Sequence, residues 1–328
     1  MEKKRKVGRI IGYSFLALLI ILVAGGAYAY NRLQPQNHFK TVPVVTGDSS
    51  NKKSNTDKNT QVQNSVFNVL LIGSDERKGE NIGHSDSMII IHVDLNKKEY
   101  HAMSIPRDTR VHLDDYGYTK LTSVQYIKQA TEGPQKGVEA AIKAITELTG
   151  VTINYYVETN YQGLQGMVDA IGGIDMNVPF DVKLTHPWYK ENKDKVVNAG
   201  VHAVDGKMVT ELVHERYSLK NGEYDRQRLQ EEALVGIAKK TLDPSNVTKL
   251  PNFTKQVPNF LIASNMNTSD MLSLGLAVKD FNPTKQLQYH QVPGEWKTMY
   301  DDILKNNNDQ LVVDKGQIDQ LVSQYFKN

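Results

Sequence analysis

The chain predicts a layered α/β domain, an α-β-α sandwich around a mixed sheet, preceded by one transmembrane helix. Three observations lead there. Short runs rich in β-branched residues alternate with segments of helical spacing from residue 66 onward. The run Ile10–Tyr30 (IIGYSFLALLIILVAGGAYAY) carries no charge. Between the two lies a polar stretch with hardly any apolar residue after Val45.

In chain order, residues 1–9 form a basic tail with five positive charges. Residues 10–30 as a helix span roughly 30 Å, enough to cross a bilayer. The preceding charges leave the N-terminus in the cytoplasm and the rest outside. Ala27-Tyr28-Ala29 also fits the cleavage pattern of a signal peptide, and either reading puts the domain outside the membrane. Residues 31–65 read as a disordered extracellular tether, and 66–328 as one extracellular catalytic domain. With 328 residues, 39% of them hydrophobic, the chain can bury a large core. A net charge of +2 and no basic stripe in the folded part argue against nucleic acid as a partner. The absence of cysteine excludes disulfides, a thiol nucleophile and thiolate metal sites.

The domain opens with three predicted strands, Phe67–Gly73, Ser87–Asp94 and Tyr100–Ile105. Asn96-Lys97-Lys98 suggests a tight antiparallel connection between the last two. If the first two are antiparallel as well, three strand ends meet at one edge of the sheet. Asp75, Asp86 and the Arg107-Asp108 pair sit at those ends. A lone aspartate there is ordinarily a turn cap. Two that converge suit a shared hard cation such as Mg²⁺. Arg107 follows Pro106, whose fixed φ restricts the backbone, and a guanidinium beside carboxylates is a candidate phosphate clamp.

A helix over Pro134–Gly150 follows, with Val138, Ala141, Ile142, Ile145 and Leu148 on one face. Ile153–Glu158 reads as a strand, and Asn160 caps a helix bearing Leu164, Met167, Val168 and Ile171. Ile174–Val178 is a further strand, and Phe180–Asn198, with Trp188 and Tyr189, a long exposed loop. Asp205 caps a helix reaching about Arg216, and Arg226 starts another that buries Leu229, Ala233, Leu234 and Ile237. Asp270–Val278 reads as helix, Gln286–Val292 as strand and Lys315–Phe326 as a terminal helix. Arg216, Arg226 and Arg228, with Gln230, make a second basic set. Arg226 and Gln230 share a face at a helix start, where free amides suit an anion. The blander alternative is a solvated helix with Glu231 and Glu232 as ordinary partners.

The stretches NVLLIGSDER, GHSDSMIIIHVD, SIPRDTRV, TKLTSV, VDAIGGIDMNVP, AVDGKMVTELVHERYS and GEYDRQRLQEEAL, in this order and spacing, resemble the LytR-CpsA-Psr family of cell-envelope transferases over Phe67–Leu234. The resemblance implies a phosphotransferase that moves a phosphate-linked glycopolymer, of wall teichoic acid or capsule type, from an undecaprenyl-pyrophosphate carrier to peptidoglycan. It implies Mg²⁺ at Asp75 and Asp86, and Arg107, Arg216 and Arg226 as the catalytic, pyrophosphate-binding arginines. Lys120, Asp108, Arg228 and Gln230 are the substrate-binding candidates. Some positions depart from the family pattern. His84 and His214 stand where arginines are common, Leu229 replaces an arginine, Asp225 a glycine and Glu231 a glutamine. Arg228, one position early, points about 100° away from the lost cation. Fewer cations should hold a pyrophosphate less strongly. Arginine at 229 with glutamine at 231 is then expected to strengthen binding. Two alternatives share the site: a weak relative that binds lipid pyrophosphates as an adaptor, and a polyprenyl-pyrophosphate hydrolase. A transcription regulator is disfavoured, because the anchor puts the domain on the wrong side of the membrane.

Overall fold

The computed structural model describes residues 30–45, 65–77, 79–243, 245–246, 253, 256–278 and 280–327. The anchor expected over residues 10–30 lies outside the described residues except for Tyr30, and so does most of the expected tether. No helix among the described residues is long and apolar enough to cross a membrane.

Alternation of apolar residues builds the centre. Strands β1 (Val66–Ser74), β2 (Ser85–Asp94) and β3 (Glu99–Ile105) pair antiparallel in sequence order, as the strand-end argument requires. Two short strands, β4 (Arg110–Leu113) and β5 (Gly117–Lys120), then form a hairpin. Helices α1 (Leu121–Glu132) and α2 (Pro134–Thr149) follow. Strand β6 (Tyr155–Asn160) returns parallel to β1. On β1 and β2, Leu70, Ile72, Met88 and Ile90 pack with Leu121, Val124, Ile142 and Ile145 of α1 and α2. Each such side chain contributes about 1.5–3 kcal/mol on full burial. The alternate residues Leu71, Ile89 and Ile91 face the other side.

That other side carries α3 (Tyr161–Ala170), β7 (Ile174–Val178), the short strands β8 (Val182–Lys183) and β9 (Val196–Val197), β10 (Gly200–Val204), α4 (Gly206–His214) and α5 (Glu223–Leu242). Asn160 and Asp205 cap α3 and α4 through their side chains, as the sequence predicts. Strand β11 (Ala263–Ser264), helix α6 (Thr268–Ala277) and strand β12 (Leu287–Gln291) follow. They complete a six-stranded mixed sheet of order β11-β6-β1-β2-β3-β12. A hairpin of β13 (Gly294–Asp301) and β14 (Asn306–Val313) leads into α7 (Lys315–Tyr325), whose Leu321 and Val322 join the α1–α2 core.

Three expectations need correction. The tether does not begin at Asn31, because Phe39 and Val42 are buried against Phe67 and Tyr155. The residues leading to them form a helical turn, Pro35–His38, that is tied to α6 by His38 and Asp270 at 2.7 Å. Phe180–Asn198 is no free loop either. Strands β8 and β9 pair within it and bury Val182, Leu184 and Val197. Finally, α5 starts at Glu223, three residues before Arg226. Its first turn already holds Glu223 and Asp225, and the Asp225 carboxylate accepts from the Asn221 main chain at 2.9 Å. Carboxylates therefore occupy the helix end that was expected to offer free amides to an anion.

Candidate active site

The ends of β1, β2 and β3 do converge, and a glycine makes the approach possible. A Cβ on Gly83 would lie 2.3 Å from Ser74 Oγ and 2.7 Å from the Glu76 nitrogen, so only glycine lets the 83–86 segment pass the end of β1. Asp75 Oδ1 then accepts from the His84 main-chain N–H at 2.6 Å, and its Oδ2 lies 3.3 Å from His84 Nδ1. The His84 ring stacks on Tyr126, with centroids 4.3 Å apart. Helix α1 supports the segment with polar side chains. Gln129 accepts from Gly83 N at 3.0 Å, and Gln125 joins Ser85 Oγ to the buried Glu158.

Asp86 is the hub. Arg107 Nη1 donates to its Oδ1, and Tyr161 O–H donates to its Oδ2 at 3.2 Å. Arg226 Nη2 donates to its main-chain carbonyl at 2.7 Å, and Arg226 Nη1 stands 3.8 Å from Oδ2. Burial pushes the Asp86 carboxyl up, but the guanidinium groups of Arg107 and then Arg226 outweigh it and hold the carboxyl below its ordinary range. Burial also opposes the charge on Arg107, yet Asp86 more than restores it, so its pKa is raised. Arg226 is only 1% exposed. It overcomes burial through Glu223, which accepts from its Nε at 3.0 Å and its Nη2 at 2.9 Å. Burial, and then Asp86, raise the pKa of Tyr161.

Asp86, Arg107, Tyr161 and Arg226 line a polar cleft of about 300 Å³, with Asp75, Arg77, Arg216 and Trp188 around it. Arg216 has no carboxylate partner among the described residues; its guanidinium lies over the Tyr217 ring at 4.9 Å. Arg77 stands over Trp188 at 5.6 Å. His214 also lines the cleft, with Nδ1 3.4 Å from Tyr161 Oη, and burial lowers its pKa. An imidazole held neutral there supplies no charge in place of a guanidinium. Asp86 and Tyr161 also line a neighbouring apolar cavity of about 240 Å³, walled by Leu71, Ile89, Leu164 and Leu234. A further apolar space of about 390 Å³ shares Leu71, Val157, Leu234 and Ile237 with it and runs between the sheet and α5. The result is a charged cleft joined through Asp86 to an apolar channel.

Of the sequence candidates, Asp75, Asp86, Arg107, Arg216 and Arg226 come together. Lys120 and Asp108 pair with each other at 2.8 Å, and Asp108 Oδ2 lies 3.8 Å from Arg107 Nε, so they flank the cleft. Gln230 faces the channel and accepts from Ser87 Oγ at 2.9 Å. Arg228 does not join the cluster; its guanidinium lies over Phe180 at 5.4 Å. Leu229 packs fully buried in the core around β7 and α4. An arginine at 229 would bury an unpaired charge there, which corrects the expectation that it would strengthen the site. Reading of the sequence missed Arg77, Tyr161 and Glu223. Glu223 stands one helical turn before Arg226, a spacing that could have found it, whereas Arg77, two residues after Asp75 in a loop, carries no such signal.

Among the described residues no three carboxylates or histidines gather as a metal site. Two carboxylates facing one cleft do fit Mg²⁺, which keeps waters and takes remaining ligands from substrate phosphates. Charge favours the same fit. The cleft lining carries Arg77, Arg107, Arg216 and Arg226 against Asp75, Asp86 and Glu215, a formal excess of one positive charge. A diphosphate diester brings two negative charges, which the lining alone does not neutralise.

The chain is similar over its length to proteins of bacterial cell envelopes. It is 26% identical over 298 residues to the polyisoprenyl-teichoic acid–peptidoglycan teichoic acid transferase TagU of Bacillus licheniformis, covering 90% of this chain and 89% of that one. In fold it matches the crystal structure of B. subtilis TagV, with a TM-score of 0.65 and 20% identity over 79% of this chain and 96% of that chain. A structure of TagT bound to LI-WTA aligns with a TM-score of 0.61 and 22% identity, covering 79% and 88% of the two chains. The LytR_cpsA_psr family model matches residues 38–327, and the chain belongs to that family.

Proposed function

We propose that the protein is a phosphotransferase that moves a phosphate-linked glycopolymer of teichoic acid type from a polyprenyl-diphosphate carrier to peptidoglycan. One observation carries the reading: the arginine-lined cleft opens through Asp86 and Tyr161 onto an apolar channel. A polyprenyl diphosphate has the same two parts, a long apolar chain and a compact anion. The similar TagU is named for this reaction, which supports the assignment.

In the reaction a hydroxyl of the acceptor glycan attacks the phosphorus that bears the glycopolymer. A new P–O bond forms as the bridging bond to the polyprenyl phosphate breaks, and the hydroxyl proton leaves to solvent or a nearby base. Such transfer needs alignment and charge stabilisation more than covalent help. Of the cleft's cations, Arg216 and Arg77 have no carboxylate partner among the described residues, and they suit the phosphate oxygens. Arg107 neutralises Asp86 in the free protein and can share its donors with a bound phosphate. Arg226 is engaged by Glu223 and Asp86, so its role is to hold Asp86 in place. Mg²⁺ would be held by Asp75 and Asp86 and would supply charge neutralisation at the diphosphate. The charge-free segment 10–30 and the basic residues before it support an anchored protein with an extracellular domain, next to both substrates.

The test is incubation of the full chain with a polyprenyl diphosphate carrying a labelled glycopolymer, peptidoglycan and Mg²⁺. Label bound to peptidoglycan is expected. A donor that never binds, or stays intact, contradicts the proposal.

A further inference from the structure

The mouth of the cleft carries two partly exposed aromatic side chains, of which Trp188 also packs beside Tyr161 and His214, with ring centroids 5.4 and 5.0 Å away. Trp188 is 39% exposed and Tyr217 64% exposed. Both stand on main chain that two buried carboxylates fix. Glu211 and Glu215 lie one turn apart at the end of α4, and both are buried. Glu211 accepts from the main-chain N–H groups of Trp188 at 2.8 Å and Tyr189 at 2.9 Å. Glu215 accepts from Thr185 N at 2.6 Å on one side of the mouth. On the other it accepts from Arg216 N at 2.9 Å and Tyr217 N at 2.8 Å. What these two carboxylates achieve is a fixed spatial relation between two exposed aromatic segments. Cations and rings then complete the rim: Arg77 over Trp188, Arg216 over Tyr217, and His186 against Tyr217 with centroids 4.4 Å apart.

We infer that Trp188 and Tyr217 form a sugar-binding platform, on which a pyranose ring of a glycan stacks beside the phosphorus that is transferred. The inference rests on the lipid-diphosphate reading of the cleft. Asp86 and Tyr161 line both cleft and channel, whereas Trp188, Tyr217, Arg77 and Arg216 line the cleft alone. With the lipid arm in the channel, whatever lies beyond the second phosphate must leave on the rim side. The attacking hydroxyl must also arrive away from the departing lipid phosphate, hence from the same side. Both groups are borne on sugar rings. The C–H face of a pyranose matches a rigid aromatic face, and its hydroxyls find donors in the neighbouring guanidinium groups. The glycan comes either from the donor polymer or from peptidoglycan, and the chemistry is the same for each.

Trp188 reports on its own site. The chain has two tryptophans, and the other, Trp296, lies on β13, outside the cleft lining. In full-length Trp296→Phe protein, emission from Trp188 is followed with three probes: polyprenyl diphosphate without sugar, the same lipid bearing N-acetylglucosamine, and chitotetraose. At least one sugar-bearing probe should change the emission beyond any change from the sugar-free lipid. Its affinity should fall at least fivefold in Tyr217→Ala and in Trp188→Leu, the latter followed by calorimetry. Because Arg216 lies over the Tyr217 ring, Tyr217→Ala should also weaken calorimetric binding of the sugar-free lipid, but by a smaller factor than binding of the sugar probe. A response to chitotetraose assigns the platform to the acceptor, and a response to the glycosylated lipid alone assigns it to the donor. If neither sugar probe changes the emission, or Tyr217→Ala and Trp188→Leu both bind them as the parent does, the platform is rejected. Failure of the sugar-free lipid to bind would instead remove the lipid-diphosphate reading, while the chitotetraose arm still decides for or against the rim.

Discussion

Two arginines of the cleft should respond to deletion in opposite ways. Arg226 is buried, and its donors go to Glu223 and to the Asp86 carbonyl. Arg226→Ala leaves Glu223 buried with its cation gone and takes from Asp86 the second of its two guanidinium groups. Breaking a buried pair costs about 3–5 kcal/mol, which for a domain of this size lowers Tm by roughly 10 °C. Arg216 lies at the cleft mouth without a carboxylate partner among the described residues, so Arg216→Ala should leave stability within about 0.5 kcal/mol. It should instead remove a charge-assisted bond to the diphosphate, worth about 1.5–3 kcal/mol or roughly 10- to 150-fold in Kd. Arg216→Lys keeps the charge without the planar fork and should recover only part of that loss. The assay is thermal unfolding of each variant beside calorimetric binding of polyprenyl diphosphate with Mg²⁺. An Arg226→Ala protein as stable as the parent, or an Arg216→Ala protein that binds equally well, would refute the division of labour.

Three further outcomes follow from the same geometry. Mg²⁺ should bind weakly alone and tightly with a diphosphate ligand, and Asp75→Ala should abolish that coupling in calorimetry; tight binding to the free protein would point to ligands other than these. Burial, and then Glu232, raise the Glu231 carboxyl to about 7, and it lines the apolar channel. The neutral form favours an apolar chain, so affinity for a polyprenyl diphosphate should be greatest below pH 7 and fall as pH rises through 7, with Glu231→Gln losing the added fall. Glu158 is buried, and desolvation raises its pKa from 4.5 to about 7. The folded state therefore binds the proton more tightly, and stability from this group is present below 4.5 and lost as pH rises to 7. Glu158→Gln should gain up to about 3 kcal/mol at pH 8 and little at pH 4 in urea unfolding. Equal unfolding midpoints at pH 8 would exclude an uncompensated charge at Glu158.

The strand-end cluster was legible in the sequence because β-strand direction alone brings Asp75, Asp86 and Arg107 together once two antiparallel connections are granted. Helix α1 was not, because its buried face sets Gln125 and Gln129, which serve the Gly83–Asp86 segment, beside the core residues Leu121 and Val124, and so breaks the apolar spacing. The β13–β14 hairpin was hidden for a related reason: most of its residues are exposed or half-exposed, so no alternation marks it. Phe39 and Val42 belong to a short run, residues 39–45, with neither strand nor helix spacing, and their burial follows from a cluster with Phe67 and Tyr155 of the sheet. Of the site, Tyr161 was invisible because a tyrosine after a helix cap carries no signal of the carboxylate it will meet. Arg228 and Leu229 follow helical phase, which places one over Phe180 and the other in the core.

The central claim is transfer rather than binding or hydrolysis. The most direct measurement follows two products together: polyprenyl phosphate released from a doubly labelled donor, and glycopolymer phosphate attached to peptidoglycan. With full-length protein and Mg²⁺, one polyprenyl phosphate should appear for every polymer attached, and neither should form in Arg107→Ala. Release of polyprenyl phosphate with the polymer left free in solution, or tight donor binding with no release at all, would contradict the account.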